Sequence, residues 1–155
     1  MPHSCRLRKG RVSSAGQYYA ITICCKNKTV VFNNLGVNQV VIREIYHLEQ
    51  DNFIKLIAYT LMPDHLHLLF QLMDSCSLSD AIRSLKGRTA ARLRVMNIQQ
   101  LWQKGFYDTS ILHNTMLRNQ ARYIVANPLR AGLVTQIGDY PYWNCIYLSK
   151  GIGDL

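Results

Sequence analysis

At 155 residues, with 48% hydrophobic and 17% charged side chains, the chain has the length of one domain and enough apolar content for a core, which excludes a disordered polymer. No apolar run reaches the length of a membrane span, and the start, Met1-Pro2-His3-Ser4-Cys5-Arg6, lacks the apolar stretch of a secretory signal. Eighteen Lys+Arg against nine Asp+Glu give a formal charge of +9, which points to a polyanionic partner, most often nucleic acid.

The five cysteines, Cys5, Cys24, Cys25, Cys76 and Cys145, form no CxxC pair and no zinc-ribbon spacing. An odd count without an export signal implies reduced thiols and a cytoplasmic setting. Residues 1–17 carry Arg6, Arg8, Lys9 and Arg11 among glycines and serines. Such an arm either follows a phosphate backbone or stays a solvated tail. Tyr18 to Cys25 is β-branched and aromatic, a strand in which Cys24 and Cys25 read as small core residues. Val37 to Leu48 has apolar residues at helical spacing. Phe53 to Thr60 is a second strand, Met62-Pro63-Asp64 a tight link, and His65 to Leu72 a third strand antiparallel to the second.

Ser77 or Ser79 suits the N-cap of a helix running from Asp80 to about Met96. Its polar face carries Arg83, Lys86, Arg88, Arg92 and Arg94 with almost no acids, which favours a phosphate-facing surface over a merely solvated one. Leu101 to Asp108 is aromatic and basic, with Trp102 and Lys104 in a loop that leads into a strand at Tyr107–Leu112. Asn114 or Thr115 would cap a last helix from Met116 to about Ala126, where Pro128 disfavours helical geometry at Asn127. The tail, residues 135–155, is aromatic-rich around Asp139 to Asn144 and is expected to pack on the body. With no repeat and no long linker, residues 1–155 read as one domain. The order matches the split βαβ plan: an α+β, ferredoxin-like βαββαβ antiparallel sheet with an added C-terminal helix.

In a strand, alternate side chains share a face, so His65 and His67 stand side by side while Leu66 and Leu68 face the core. A lone strand histidine is usually a packed core residue, but two at this spacing can share a divalent cation. On the last helix the apolar stripe is Leu117, Ala121 and Ile124, and Tyr123 lies off it, facing solvent or another surface. Asn127, four residues on, shares a side with Tyr123 and suits either a helix cap or a third metal ligand.

Three segments then occur in order: Pro63-Asp64-His65-Leu66-His67-Leu68-Leu69; Leu101-Trp102-Gln103-Lys104-Gly105-Phe106-Tyr107-Asp108; and Tyr123 to Asn127-Pro128, running on to Val134. Together they resemble the single-tyrosine HUH transposases of the IS200-like class, in particular the branch called REP-associated tyrosine transposases. The resemblance covers about the whole chain. It implies that His65 and His67 hold Mg²⁺ or Mn²⁺, that Tyr123 is the nucleophile, and that Asn127 completes the metal site. It implies metal-dependent cleavage and rejoining of single-stranded DNA beside a REP-type hairpin through a 5′-phosphotyrosine, in a bacterial cytoplasm and at the nucleoid when DNA-bound. A monomer is expected, with a helix-swapped dimer as the other option. Asp64 stands where many relatives have asparagine. Expected DNA contacts are Arg6, Arg8, Lys9, Arg11, Arg83, Lys86, Arg88, Trp102, Lys104, Arg118 and Arg122. No GxxxxGK[ST] loop occurs, so no nucleotide-driven step is implied. Two rival readings are a non-catalytic or domesticated hairpin, single-strand or RNA-binding protein of the same fold, and a zinc hydrolase built on the two histidines, with His113 as a spare ligand.

Overall fold

The computed structural model describes residues 12–148. The elements follow the expected order: β1 (Tyr18–Cys24), α1 (Leu35–Gln50), β2 (Ile54–Met62), β3 (His65–Leu72), α2 (Leu78–Arg94), β4 (Tyr107–Ile111), α3 (Asn114–Val125), α4 (Asn127–Arg130) and β5 (Trp143–Cys145). The strands form one antiparallel sheet in the order β4-β1-β3-β2-β5. The first four strands are the ferredoxin-like arrangement, with β3 at the centre. The aromatic tail does more than pack: Trp143–Cys145 adds an edge strand to β2, and the buried Tyr140 donates its hydroxyl to the Leu61 carbonyl at 2.6 Å.

The two-residue periodicity of the strands sorts the core into two layers. Ile21, Ile23, Leu66, Leu68, Phe70 and Leu72 face α1 and α2, with Val41, Ile45, Leu48, Ile82 and Leu85 filling the other side of that layer. On the opposite sheet face a smaller cluster joins Leu69 to Leu117, Ala121, Ile124 and Val125 of α3. Helices thus cover both faces, not one, and α3 shares its face with the odd-numbered residues at the start of β3.

Asn34 caps α1 by accepting from Val37 N, and Ser77 caps α2 by accepting from Asp80 N. α3 starts differently from expectation. His113 occupies the N-cap without a side-chain hydrogen bond, and Asn114 and Thr115 lie in the first turn. Nor does Pro128 simply end the chain's helical path. Ala126 closes α3, and proline stands in the first turn of α4, where its missing N–H costs nothing. The last-turn carbonyls of a helix lack intrahelical partners. At Ile124 that gap is filled twice, by the buried Thr60 hydroxyl of β2 at 2.9 Å and by the Asn127 amide at 3.0 Å. The Thr60 bond fixes the end of α3, and with it Tyr123, to the sheet.

Thr60→Val, which keeps shape but removes this donor, is expected to cost about 0.5–1.5 kcal/mol in urea unfolding and to speed amide exchange selectively in the last turn of α3. Unchanged exchange there would show that Thr60 does not anchor the helix.

Candidate active site

The Pro63-Asp64 turn closes the β2–β3 hairpin and sends His65 and His67 onto the face shared with α3. Leu66 and Leu68, between and after them, are fully buried on the other face. The two imidazoles meet edge to face, with Nε2 atoms 3.0 Å apart. Each ring is fixed through its other nitrogen. His65 Nδ1 sits 2.5 Å from the Asp64 carboxylate, and His67 Nδ1 3.0 Å from the Thr22 hydroxyl, which the β1–β3 register sets opposite it.

Two ligands at right angles on an ion at about 2.1 Å lie about 3 Å apart, so the Nε2 separation fits one shared divalent cation. The Nδ1 contacts are of the kind that orient metal-binding histidines. The donor set therefore suits the ion that the sequence implies. Among the described residues no group of three or more His, Cys, Asp or Glu is placed to hold a metal. Among those residues a third ligand would be of another type, and the three-ligand site of a zinc hydrolase is not assembled from them. His113 stands exposed at the N-cap of α3 and is not among the residues lining the cavity described below.

Burial pushes the His67 imidazole down to about 3, with His65 and Arg130 adding in the same direction and Asp64 opposing them. The ring is therefore neutral and has a lone pair to offer at physiological pH.

A cavity of about 520 Å³ opens on this pair. Thr22 and Cys24 of β1, Asp64, His65 and His67 of the hairpin, Tyr107 and Asp108 of β4, and Gln120 and Tyr123 of α3 are among its lining residues. Tyr123 is 56% exposed, on the side of α3 away from its buried stripe, as the periodicity predicts. Asn127 acts as a cap: its amide nitrogen donates to the Ile124 carbonyl, and at 3.5 Å to that of Tyr123. That orientation leaves its oxygen as an acceptor. Thr22, Lys28, Gln120 and the orienting role of Asp64 were not singled out from the sequence. Thr22 and Cys24 could have been found by extending the two-residue alternation of β1 to this face. Cys24 is accordingly a half-buried cavity residue rather than core, whereas Cys25 is buried, with its thiol pushed up to about 12.

The expected DNA contacts fall into three groups. Arg6, Arg8, Lys9 and Arg11 lie outside the described residues. Lys104, Arg118 and Arg122 are exposed, with the Arg118 guanidinium over the Tyr147 ring at 4.9 Å. The others make contacts within the fold. Lys86 donates to the Gln103 and Gly105 carbonyls, fastening the loop before β4. Trp102 donates to Thr89 at 2.8 Å and packs against Phe32. Arg88 pairs with Asp51 at 2.7 Å and lies over Phe53, and the exposed Arg83 pairs with Asp80. These contacts belong to α2, across the sheet from the cavity.

Two consequences of the depressed His67 are measurable in the metal-free protein. Its ring resonances should not titrate between pH 8 and 5. Because the unfolded imidazole takes a proton near 6.5, the stabilising contribution of the neutral ring is full above that pH and declines as pH falls toward about 3. A His67 midpoint near 6.5 would contradict this environment.

The IS200-like transposase family model matches residues 13–127. A provisionally named REP-associated tyrosine transposase of Haemophilus influenzae is 27% identical over 140 residues, covering 82% of this chain and 78% of that protein. The REP-associated tyrosine transposase of Escherichia coli K12 is 26% identical over 99 residues, covering 63% of this chain and 58% of its own length. Among solved structures, a REP-associated tyrosine transposase bound to a REP hairpin superposes with a TM-score of 0.73 at 22% identity, over 86% of this chain and 79% of that one. With most of its length matched, the chain belongs to the IS200-like transposase family and is related to proteins of DNA transposition.

Proposed function

We propose that this chain cleaves and rejoins single-stranded DNA beside a REP-type hairpin through a 5′-phosphotyrosine on Tyr123, using Mg²⁺ or Mn²⁺ held at His65 and His67. The observation that carries the reading is that Tyr123 and both imidazoles line one cavity of one chain. The solved relative's REP hairpin supports the choice of substrate. That both imidazoles and Tyr123 line a cavity of one chain supports action as a monomer.

An ion bound there would supply Lewis-acid polarisation of the scissile phosphate's non-bridging oxygens. His65 and His67 would hold it, with Asp64 and Thr22 keeping the rings in place. The Asn127 oxygen is the candidate third ligand. A phenol, with an unperturbed pKa of about 10, is a weak nucleophile at neutral pH and depends on such polarisation. As the Tyr123 Oη–P bond forms, the phenolic proton leaves. The P–O3′ bond breaks, and the 3′ oxygen departs as a hydroxyl after taking up a proton. The ester bond is conserved in the tyrosyl phosphodiester, so another 3′-hydroxyl can reseal the strand. A flexible single strand can thread the cavity, with Lys28 at its wall and the exposed Arg118, Arg122 and Lys104 available for phosphates.

The test is incubation with a single-stranded REP hairpin oligonucleotide and Mg²⁺ or Mn²⁺, followed by mass spectrometry of the covalent adduct. The adduct should map to Tyr123 and vanish in Tyr123→Phe. His65→Ala and His67→Ala should lose at least about a hundredfold in cleavage while keeping most of the DNA binding. Hairpin binding without any adduct would establish a non-catalytic binder instead. Affinity should fall with salt at a log–log slope of about −0.7 per phosphate contact on a single strand; a flat response would remove the electrostatic component.

A further inference from the structure

Arg130 has no role in the reading so far, although it lies in the Asn127-Pro128-Leu129-Arg130-Ala131-Gly132 segment. Its guanidinium carbon sits 3.7 Å from the centroid of the Tyr123 ring, a close cation–π stack. Among the described residues no carboxylate pairs with it.

Its platform is rigid for so short a helix. Gly132, at φ +70, takes the left-handed conformation that stops α4, and Gly132 N and Leu133 N return to the Leu129 and Pro128 carbonyls. Arg130 N donates to the Ala126 carbonyl at the end of α3. A stacked guanidinium uses its face and leaves its N–H edges free. Those edges match the oxygens of a phosphate in a two-point hydrogen bond. An exposed cation stacked on the candidate nucleophile is placed to meet an anion that reaches the ring.

We propose that Arg130 is a catalytic residue, which holds the Tyr123 ring by stacking and presents its N–H edge to the non-bridging oxygens of the scissile phosphate. The inference rests on the proposed tyrosine chemistry, deepens it, and assigns the phosphate a second cationic partner besides the ion.

The experiment is single-turnover formation of the Tyr123 adduct on a single-stranded REP hairpin oligonucleotide. Wild type, Arg130→Ala and Arg130→Lys are compared on a natural phosphodiester and on a charge-neutral methylphosphonate at the cleavage position. On the diester, Arg130→Ala should be about 10²–10³-fold slower, the usual cost of one lost transition-state contact, with hairpin affinity nearly unchanged. Arg130→Lys, with charge but no planar fork, should fall between the two. On the methylphosphonate, where the charge Arg130 would balance is gone, the wild-type advantage should shrink to within about tenfold. An equally large deficit on both substrates would mean that Arg130 only props the ring and would overturn the proposal, as would an Arg130→Ala rate equal to wild type. A wild type that forms no Tyr123 adduct would overturn the underlying reaction as well.

Discussion

The side-chain alternation of β3 is the constraint on which the site depends. β3 is the central strand of the sheet, paired along its length to both β1 and β2. Leu66, Leu68, Phe70 and Leu72 are locked into the layer under α1 and α2, and a one-residue slip would drive the imidazoles into that core. His65 and His67 therefore have no freedom to exchange faces. The hydrophobic layer that stabilises the fold also presents the two rings, side by side, to the cavity.

Around that pair, long-range contacts do the positioning. The Thr22 hydroxyl reaches His67 across 45 residues, through the β1–β3 register. The Thr60 hydroxyl reaches the end of α3 across 64 residues. Neither threonine is charged, and each satisfies a group that would otherwise be left without a partner near the core. Lys86 and Trp102 serve the same end on the far side, pinning the segment that leads into β4. Among the described cations, Lys28 lines the cavity and Arg130 stacks on Tyr123.

The sequence carried the βαββαβ order, the shared face of His65 and His67 and the exposed side of Tyr123, because each follows from a local period of two or 3.6 residues. Residues whose role depends on register or on a partner far along the chain were not legible. On the basic stripe of α2, the Arg88 partner, Asp51, lies just past the end of α1, and the Lys86 acceptors lie in a loop beyond α2, so neither contact follows from the helical period. β5 was missed because three residues carry no periodic signal, and the cap of α3 because His113 makes no side-chain bond that its type would advertise. For Asn127 the structure shows the cap: its amide nitrogen donates to the Ile124 carbonyl, and the residue is not among those lining the cavity.

The central claim is that one chain gathers two imidazoles and its own tyrosine around a single cation. Anomalous diffraction from crystals of the protein with Mn²⁺ tests it most directly. The account predicts one peak about 2.1–2.3 Å from Nε2 of both His65 and His67, in the cavity lined by Tyr123 of the same chain. No peak at the histidine pair, or a peak served by the Tyr123 of a second copy, would contradict it.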